Sequence, residues 1–382
     1  MVVIEELEGL SSMIKMPKNG NIPIMDLRYH KIDEKKSNNI IIVDTGRYSI
    51  NTNDLWIYFS RSPHKIVKFL VNKVATEKHG FWKSGKIVQP ARSNIFDEID
   101  MNLLVWKSLS GLKKNIDDTE FDYIAIGNGS CDVGEFLCKT YGRDKILFTE
   151  YGWLPWSETC YISRFGCGMQ SYLAHLNEET LKRIEYKLED IQALRDRVTQ
   201  YHFKKNKNRI IYKDFVYIPL QSDSVQSNMK KDFKMRFSDF DSNMAFLRKV
   251  VPLIPAKYKI LVKGHPFAQS NVSFEKIRLW DRRHNQHVDP ARIIDITRDK
   301  WNNVDIYQKM KAMIAINSTS VIEAILYKKK VFTYGDDVFS NKGLTYNRIN
   351  DKEEFEKLLE GKQDTYVFNR FIWVLMLSLI HI

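Results

Sequence analysis

Cysteine is scarce and poorly spaced for metal: the 382 residues hold only Cys131, Cys138, Cys160 and Cys167, with six residues between the members of each neighbouring pair. Zinc modules use closer pairs, so the sequence offers no zinc site, and free thiols in a reducing compartment are expected. Long hydrophobic runs are missing too. The nearest, Phe371 to Ile380, falls short of a membrane span. The chain stops there without a polar ending, as expected of a piece of a longer protein. The first residues, Met1 to Glu8, lack a basic segment followed by an apolar core, so no signal peptide is read. There is no low-complexity tract.

What is present is ample for two domains with their own cores: 43% hydrophobic and 28% charged residues. Fifty-nine Lys and Arg against 47 Asp and Glu give a net charge of +12. That balance favours nucleic acid, an anionic membrane surface or a negatively charged substrate. The basic residues are dispersed and no nucleic-acid module is recognisable, so nucleic acid is not the expected partner.

The order of apolar runs describes the fold. Asn39 to Asp44 reads as a buried parallel strand and Asp54 to Ser60 as a second. Pro63 to Val74 and Ile99 to Leu112 have helical spacing. Phe121 to Ile126 is a strand opening into Gly127-Asn128-Gly129-Ser130; a helix at Asp132 to Tyr141 and a strand at Lys145 to Phe148 follow. Alternating strands and helices predict a parallel sheet with helices on both faces. Asn177 to Phe203 reads as one long helix, with Leu181, Ile184, Leu188, Ile191, Leu194 and Val198 as its apolar stripe. The charged connector after it, from Lys204, marks the boundary.

A second α/β unit begins at Phe215 to Leu220, continues through a helix at Phe240 to Leu253 and strands at Ile260 to Val262, Met313 to Ile316 and Val331 to Gly335, and closes on a helical part from Glu353. The predicted fold is α/β and GT-B-like. An N-terminal Rossmann-like domain (1–205) on the acceptor side and a C-terminal Rossmann-like domain (206–352) that binds the donor face a cleft, and a helical segment (353–382) follows.

Ligands of open α/β sheets bind outside the carboxyl ends of the strands. In the second unit these ends carry Gln221, then Lys263, Gly264, His265 and Pro266, then Asn317, Ser318, Thr319 and Ser320, with Glu323 one turn further on. His265, held by Pro266, can donate to a phosphate oxygen, and Lys263 adds a point charge. Ser318 to Ser320 offer hydroxyls and backbone N–H groups where a helix begins; for this cluster alone plain helix capping by Asn317 or Ser318 is the better reading, and only with His265-Pro266 one strand earlier does the phosphate reading overtake it. In the first unit, Asn128 and Ser130 lie in either a tight turn or a sugar-binding loop. Trp153 and Trp156 are either sugar platforms or packing. Glu158 is either a cap or an acid–base group. The His284 and His287 stretch lacks the helical setting of a metal site, so no metal or other cofactor is expected.

Lys263-Gly264-His265-Pro266, the run from Asn317 to Ala324, and Val331-Phe332-Thr333-Tyr334-Gly335 fall in an order that, with Gly152-Trp153-Leu154-Pro155 upstream, resembles the bacterial β-Kdo transferases of the capsule-biosynthesis type. The resemblance covers most of the chain and extends to β-Kdo transferase modules of multidomain O-antigen proteins. The histidine-proline and serine-threonine motifs are also similar to those of sialyltransferases that use a CMP-linked sugar. The resemblance implies a retaining enzyme that uses CMP-Kdo. His265 and Ser318 to Ser320 would hold the cytidylate phosphate, and Glu323 would lie near the ribose. Lys263, Pro266, Asn317 and Gln221 complete the expected donor set, and Trp153, Trp156, Asn128 and Ser130 form the expected acceptor set. Asp232 is the chosen nucleophile of a double displacement, Asp223 its competitor, and Glu158 the base for the acceptor hydroxyl. Expected partners are CMP-Kdo and a lipid-linked glycan acceptor, with peripheral association at the cytoplasmic face of the inner membrane. The alternative class is a non-catalytic glycan-binding module.

Overall fold

Ile40, Ile41, Ile42 and Val43 are buried in succession, none more than 1% exposed, so this strand needs apolar cover on both of its faces. The structure, a computed structural model, describes residues 38–44, 65–71, 81–83, 86–88, 109–127, 132–151, 153–154, 159–163, 166, 168–221, 237–240, 242–265 and 289–381. The first sheet contains β1 (Asn39–Asp44), β2 (Lys65–Val71), β5 (Tyr123–Gly127), β6 (Ile146–Tyr151) and β7 (Thr159–Ser163), while β3 (Phe81–Lys83) and β4 (Lys86–Val88) form a separate antiparallel pair. Its strand order is β16-β7-β6-β5-β1-β2. β2, β1, β5 and β6 run parallel; β7 is antiparallel to β6, and β16 (Leu379–His381) is antiparallel to β7. The sheet is therefore mixed, not wholly parallel, and the end of the chain returns to the sheet of its first half.

The second sheet is parallel throughout. It holds β8 (Phe215–Pro219), β10 (Lys259–Lys263), β11 (Ile293–Asp295), β12 (Ala312–Ala315), β13 (Lys330–Thr333) and β15 (Tyr346–Asn347) in the order β11-β10-β8-β12-β13-β15. The short β9 (Phe237–Ser238) and β14 (Gly335–Asp336) pair beside it. Alternate residues of β8 face two cores: Phe215 and Tyr217 join the larger, Val216 and Ile218 the smaller. These are two Rossmann-like units in a GT-B-like chain, followed by helices, and the α/β expectation is borne out.

Among the described residues the helices are α1 (109–117), α2 (Asp132–Tyr141), α3 (Tyr172–His175), α4 (Glu178–Lys182), α5 (Leu188–Lys205), α6 (Asn243–Val250), α7 (Asn303–Lys309), α8 (Ser320–Leu326), α9 (Lys352–Glu360) and α10 (Phe368–Ser378). Three sequence expectations are corrected. Pro63 to Val74 contributes a strand, β2: the run Ile66-Val67-Lys68-Phe69-Leu70-Val71 is apolar enough for a strand covered on both faces as well as for a helix, and pairing with β1 decides. Asn177 to Phe203 is two helices: Asn177 caps α4 by accepting from Thr180 N at 2.8 Å, and the chain restarts at Leu188. Leu188 is consequently 56% exposed, while Ile191, Leu194 and Val198 are buried as expected. Helix α6 starts at Asn243, not Phe240, because Ser242 Oγ accepts from Ala245 N at 3.1 Å. The strand expected at Asp54 to Ser60 lies outside the described residues. No helix among the described residues is long and apolar enough to cross a membrane.

α10 packs on α8 and on α5 and leads into β16, so the end of the chain joins the second unit to the first sheet. A second bridge is polar. Lys342, 1% exposed after β14, donates through Nζ to Ala174 O of α3 and to Ser340 O, each at 2.9 Å. Burial pushes its ammonium down from an ordinary 10.5 to about 7, opposed by Asp337. The folded form thus holds fewer protons than the unfolded chain between about 7 and 10.5, and stability rises with pH in that window. Chemical denaturation of wild type and Lys342→Met across this range should show a gap that shifts in favour of the wild type as pH rises. A gap independent of pH would contradict the buried-ammonium assignment.

Candidate active site

The strand order of the second sheet reverses between β8 and β12, since β10 and β11 lie on one side of β8 while β12, β13 and β15 lie on the other. In open α/β sheets a reversal of strand order of this kind places the ligand crevice at the carboxyl edge. Gln221 follows β8 and Asn317 follows β12. Gln221 Nε2 donates to Asn317 Oδ1 at 3.2 Å, and the residues are 5% and 0% exposed. Gln221 is fixed on its backbone side as well: Asn243 Oδ1 accepts from Gln221 N at 3.2 Å, and Asn243 Nδ2 donates to Gln221 O. The floor of the crevice is therefore a row of side-chain amides, with α6 supplying the outermost.

The end of β10 forms one wall. Gly264 N donates to Thr297 Oγ1 at 2.8 Å, and Thr297 N is itself held by Asp295 Oδ1, so the turn carrying His265 is pinned from β11. His265 is half-buried. Lys263 Nζ donates to Asn303 Oδ1 at 2.7 Å. Burial lowers the pKa of Lys263, and the Glu323 carboxylate opposes that shift. One of the ammonium's three donors is thus committed to Asn303 at the start of α7.

On the other wall, Ser318, Thr319 and Ser320 are all partly exposed. Ser320 N donates to Ser318 Oγ at 3.3 Å, while Thr319 makes no side-chain cap. α8 has only seven residues, so its dipole is small, and the hydroxyls with the adjoining strand ends define this wall. Glu323, in the interior of α8, is buried. It is 7% exposed, and His202 Nε2 lies 2.9 Å from its Oε1. Tyr217 and Tyr307 flank it; burial first and the Glu323 charge second raise the pKa of both phenols. The Tyr307 hydroxyl is directed toward Glu323 and Ser320 but makes no hydrogen bond of good geometry.

Gln221, Lys263, His265, Asn317, Ser318, Thr319 and Ser320 are thus brought to one sheet edge, with Glu323 beneath it. Trp153 is not placed as an acceptor platform: it is 2% exposed and packs in the larger core, which leaves no ring face for a sugar. Asn128, Ser130, Trp156, Glu158, Asp223, Asp232 and Pro266 lie outside the described residues. Asn243, Asn303, Thr297 and His202 were not identified from sequence. Asn243 had a local signal in the Ser-Asn pair at a helix start; His202 had only its place among the apolar positions of α5. Among the described residues, no group of three or more His, Cys, Asp or Glu could hold a metal ion.

Known structures with a similar chain path include the β-Kdo 2,7 transferase of Thermosulfurimonas dismutans KpsC, which is 14% identical with a TM-score of 0.49 over 90% of this chain and 92% of that one. The UDP-GlcNAc 2-epimerase of Methanocaldococcus jannaschii is 12% identical, with a TM-score of 0.39 over 86% and 94%. The S. aureus MnaA–UDP structure is 13% identical, with a TM-score of 0.40 over 88% and 90%. None of the curated proteins compared matches the sequence. Residues 162–380, more than half of the chain and all of the site described above, match the family of capsule polysaccharide biosynthesis proteins, and the chain belongs to that family.

Proposed function

We propose that the chain is a retaining glycosyltransferase that moves Kdo from CMP-Kdo onto a hydroxyl of a bacterial surface glycan in β linkage. The observation that carries this reading is the Gln221–Asn317 bond at the strand-order reversal, flanked by Lys263, His265 and three serine and threonine hydroxyls. Such an edge suits one phosphate with an attached nucleoside, and a capsule-building family uses nucleotide sugars in that role. In this proposal residues 206–352 form the donor domain, 1–205 the acceptor domain and 353–382 the closing segment. The glycan acceptor is lipid-linked and met at the cytoplasmic face of the inner membrane.

The chemistry follows from retention. A carboxylate oxygen of Asp232 attacks the anomeric carbon, the bond to the phosphate oxygen breaks, and CMP leaves with the electron pair. His265 donates to the phosphate as charge builds on it. Glu158 then takes the proton of the acceptor hydroxyl, whose oxygen displaces Asp232 and restores its carboxylate. Two inversions give retention. Asp223 is the competing nucleophile.

His265→Ala should lower turnover with CMP-Kdo by roughly 30- to 1000-fold, equivalent to about 2–4 kcal/mol for the loss of one preorganised donor. A variant within threefold of wild type would remove His265 from leaving-group stabilisation. Asp232→Asn should abolish transfer while CMP-Kdo affinity, measured by titration calorimetry, stays near that of wild type. Retained transfer in Asp232→Asn would end the nucleophile assignment. If the wild type binds glycan but never releases CMP from CMP-Kdo, the chain is a binding module. If CMP-sialic acid is consumed in its place, the donor is the related sugar.

A further inference from the structure

Helix α8 carries the serine-threonine wall of the site, yet at seven residues it is too short to be stable without tertiary support. Its C-terminal carbonyls can be accounted for one by one. Tyr327 N donates to Glu323 O at 3.1 Å, Lys329 N to Ala324 O at 2.9 Å and Lys328 N to Ile325 O at 2.9 Å. Lys328 reaches this position with φ 56°, in the left-handed region that ends helices. One carbonyl is left for a partner outside the segment, that of Leu326. Arg195 of α5, 131 positions earlier in the chain, takes it with two bonds, from Nε at 3.2 Å and Nη2 at 3.0 Å.

Arg195 does not act alone. Thr199 Oγ1 lies 2.8 Å from Tyr327 Oη, and His202 Nε2 lies 2.9 Å from Glu323 Oε1. Positions 195, 199 and 202 are spaced by four and three residues, so they share one face of α5. That face meets α8 at its last carbonyl, at the residue just after it, and at Glu323 in its interior. Gln192 Oε1 accepts from Arg195 Nη1 at 2.9 Å and holds the guanidinium in line. The contacts of Arg195, Thr199 and His202 with Leu326, Tyr327 and Glu323 join residues 121 to 131 positions apart in the chain.

We infer that Arg195, Thr199 and His202 are positioning residues of the nucleotide-sugar site, holding the Ser318–Ser320 wall in register from helix α5. The inference rests on the donor-site reading above. The three side chains bond to Leu326 O, Tyr327 Oη and Glu323 Oε1, not to the Ser318–Ser320 wall itself. They fix the helix whose first turn faces the crevice, so their loss is read as weaker donor binding and not as a slower chemical step.

The test uses the full chain, with CMP titrated calorimetrically and with KM and kcat measured separately for CMP-Kdo. His202→Phe and Arg195→Met should each weaken CMP and raise the donor KM by roughly tenfold or more, with kcat within about twofold. His202→Gln, which can place an amide N–H near the Nε2 position, should recover most of the affinity. Thr199→Val keeps the side-chain shape and should give a smaller, severalfold loss at unchanged Tm, so the inference stays testable should a larger change unfold the chain. Wild-type binding of CMP combined with unaltered affinity in all three positions overturns this inference alone. Failure of the wild type to bind CMP overturns the donor-site reading, and this inference with it.

Discussion

A parallel sheet whose strand order reverses must leave an open seam at the reversal, because the connections on either side depart in opposite directions. In this chain the seam lies between β8 and β12, and the bond from Gln221 to Asn317 spans it. Everything proposed for the site depends on that seam being polar and held in place. Apolar residues on both faces of β8, β10 and β12 place the strand ends reproducibly. The paired amides then keep buried polar groups satisfied where the strands part. Asn243 gives Gln221 the donor and acceptor that a missing neighbouring strand would have supplied.

The two halves are not independent bodies joined by a connector. Helix α5 grips α8, Lys342 ties the segment after β14 to α3, and β16 adds an edge to the first sheet. The larger core draws side chains from both units, including Ile41 and Leu194 from the first and Tyr217 and Val321 from the second. Mutations far from the crevice can therefore act on it through shared packing and the α5 face. The His202–Glu323 bond joins two largely buried side chains, so removing either partner leaves a buried polar group unpaired.

Much of the second sheet was legible in the sequence because buried parallel strands write themselves as apolar runs ending in polar residues. Ile260-Leu261-Val262 before Lys263, and Met313 to Ile316 before Asn317, gave both the strands and the edge on which the site stands. β2 was misread because a short, near-continuous apolar run, Ile66 to Val71, is compatible with a buried strand and with a helix, and only pairing with β1 settles the choice. The break between α4 and α5 was hidden because the hydrophobic pattern runs on across it. Trp153 looked like a sugar platform for its aromatic surroundings, yet its burial is a tertiary fact. The partners of Glu323 and Leu326 were illegible for a simpler reason: they lie more than a hundred residues away.

The most direct test of the seam as the nucleotide site is hydrogen exchange of the full chain with and without CMP. Binding should slow exchange in peptides covering residues 263–265 and 317–323, with secondary protection of α5 at 195–202. Unchanged exchange across both strand ends, or protection confined to the first sheet, would contradict the placement of the donor at the β8–β12 reversal.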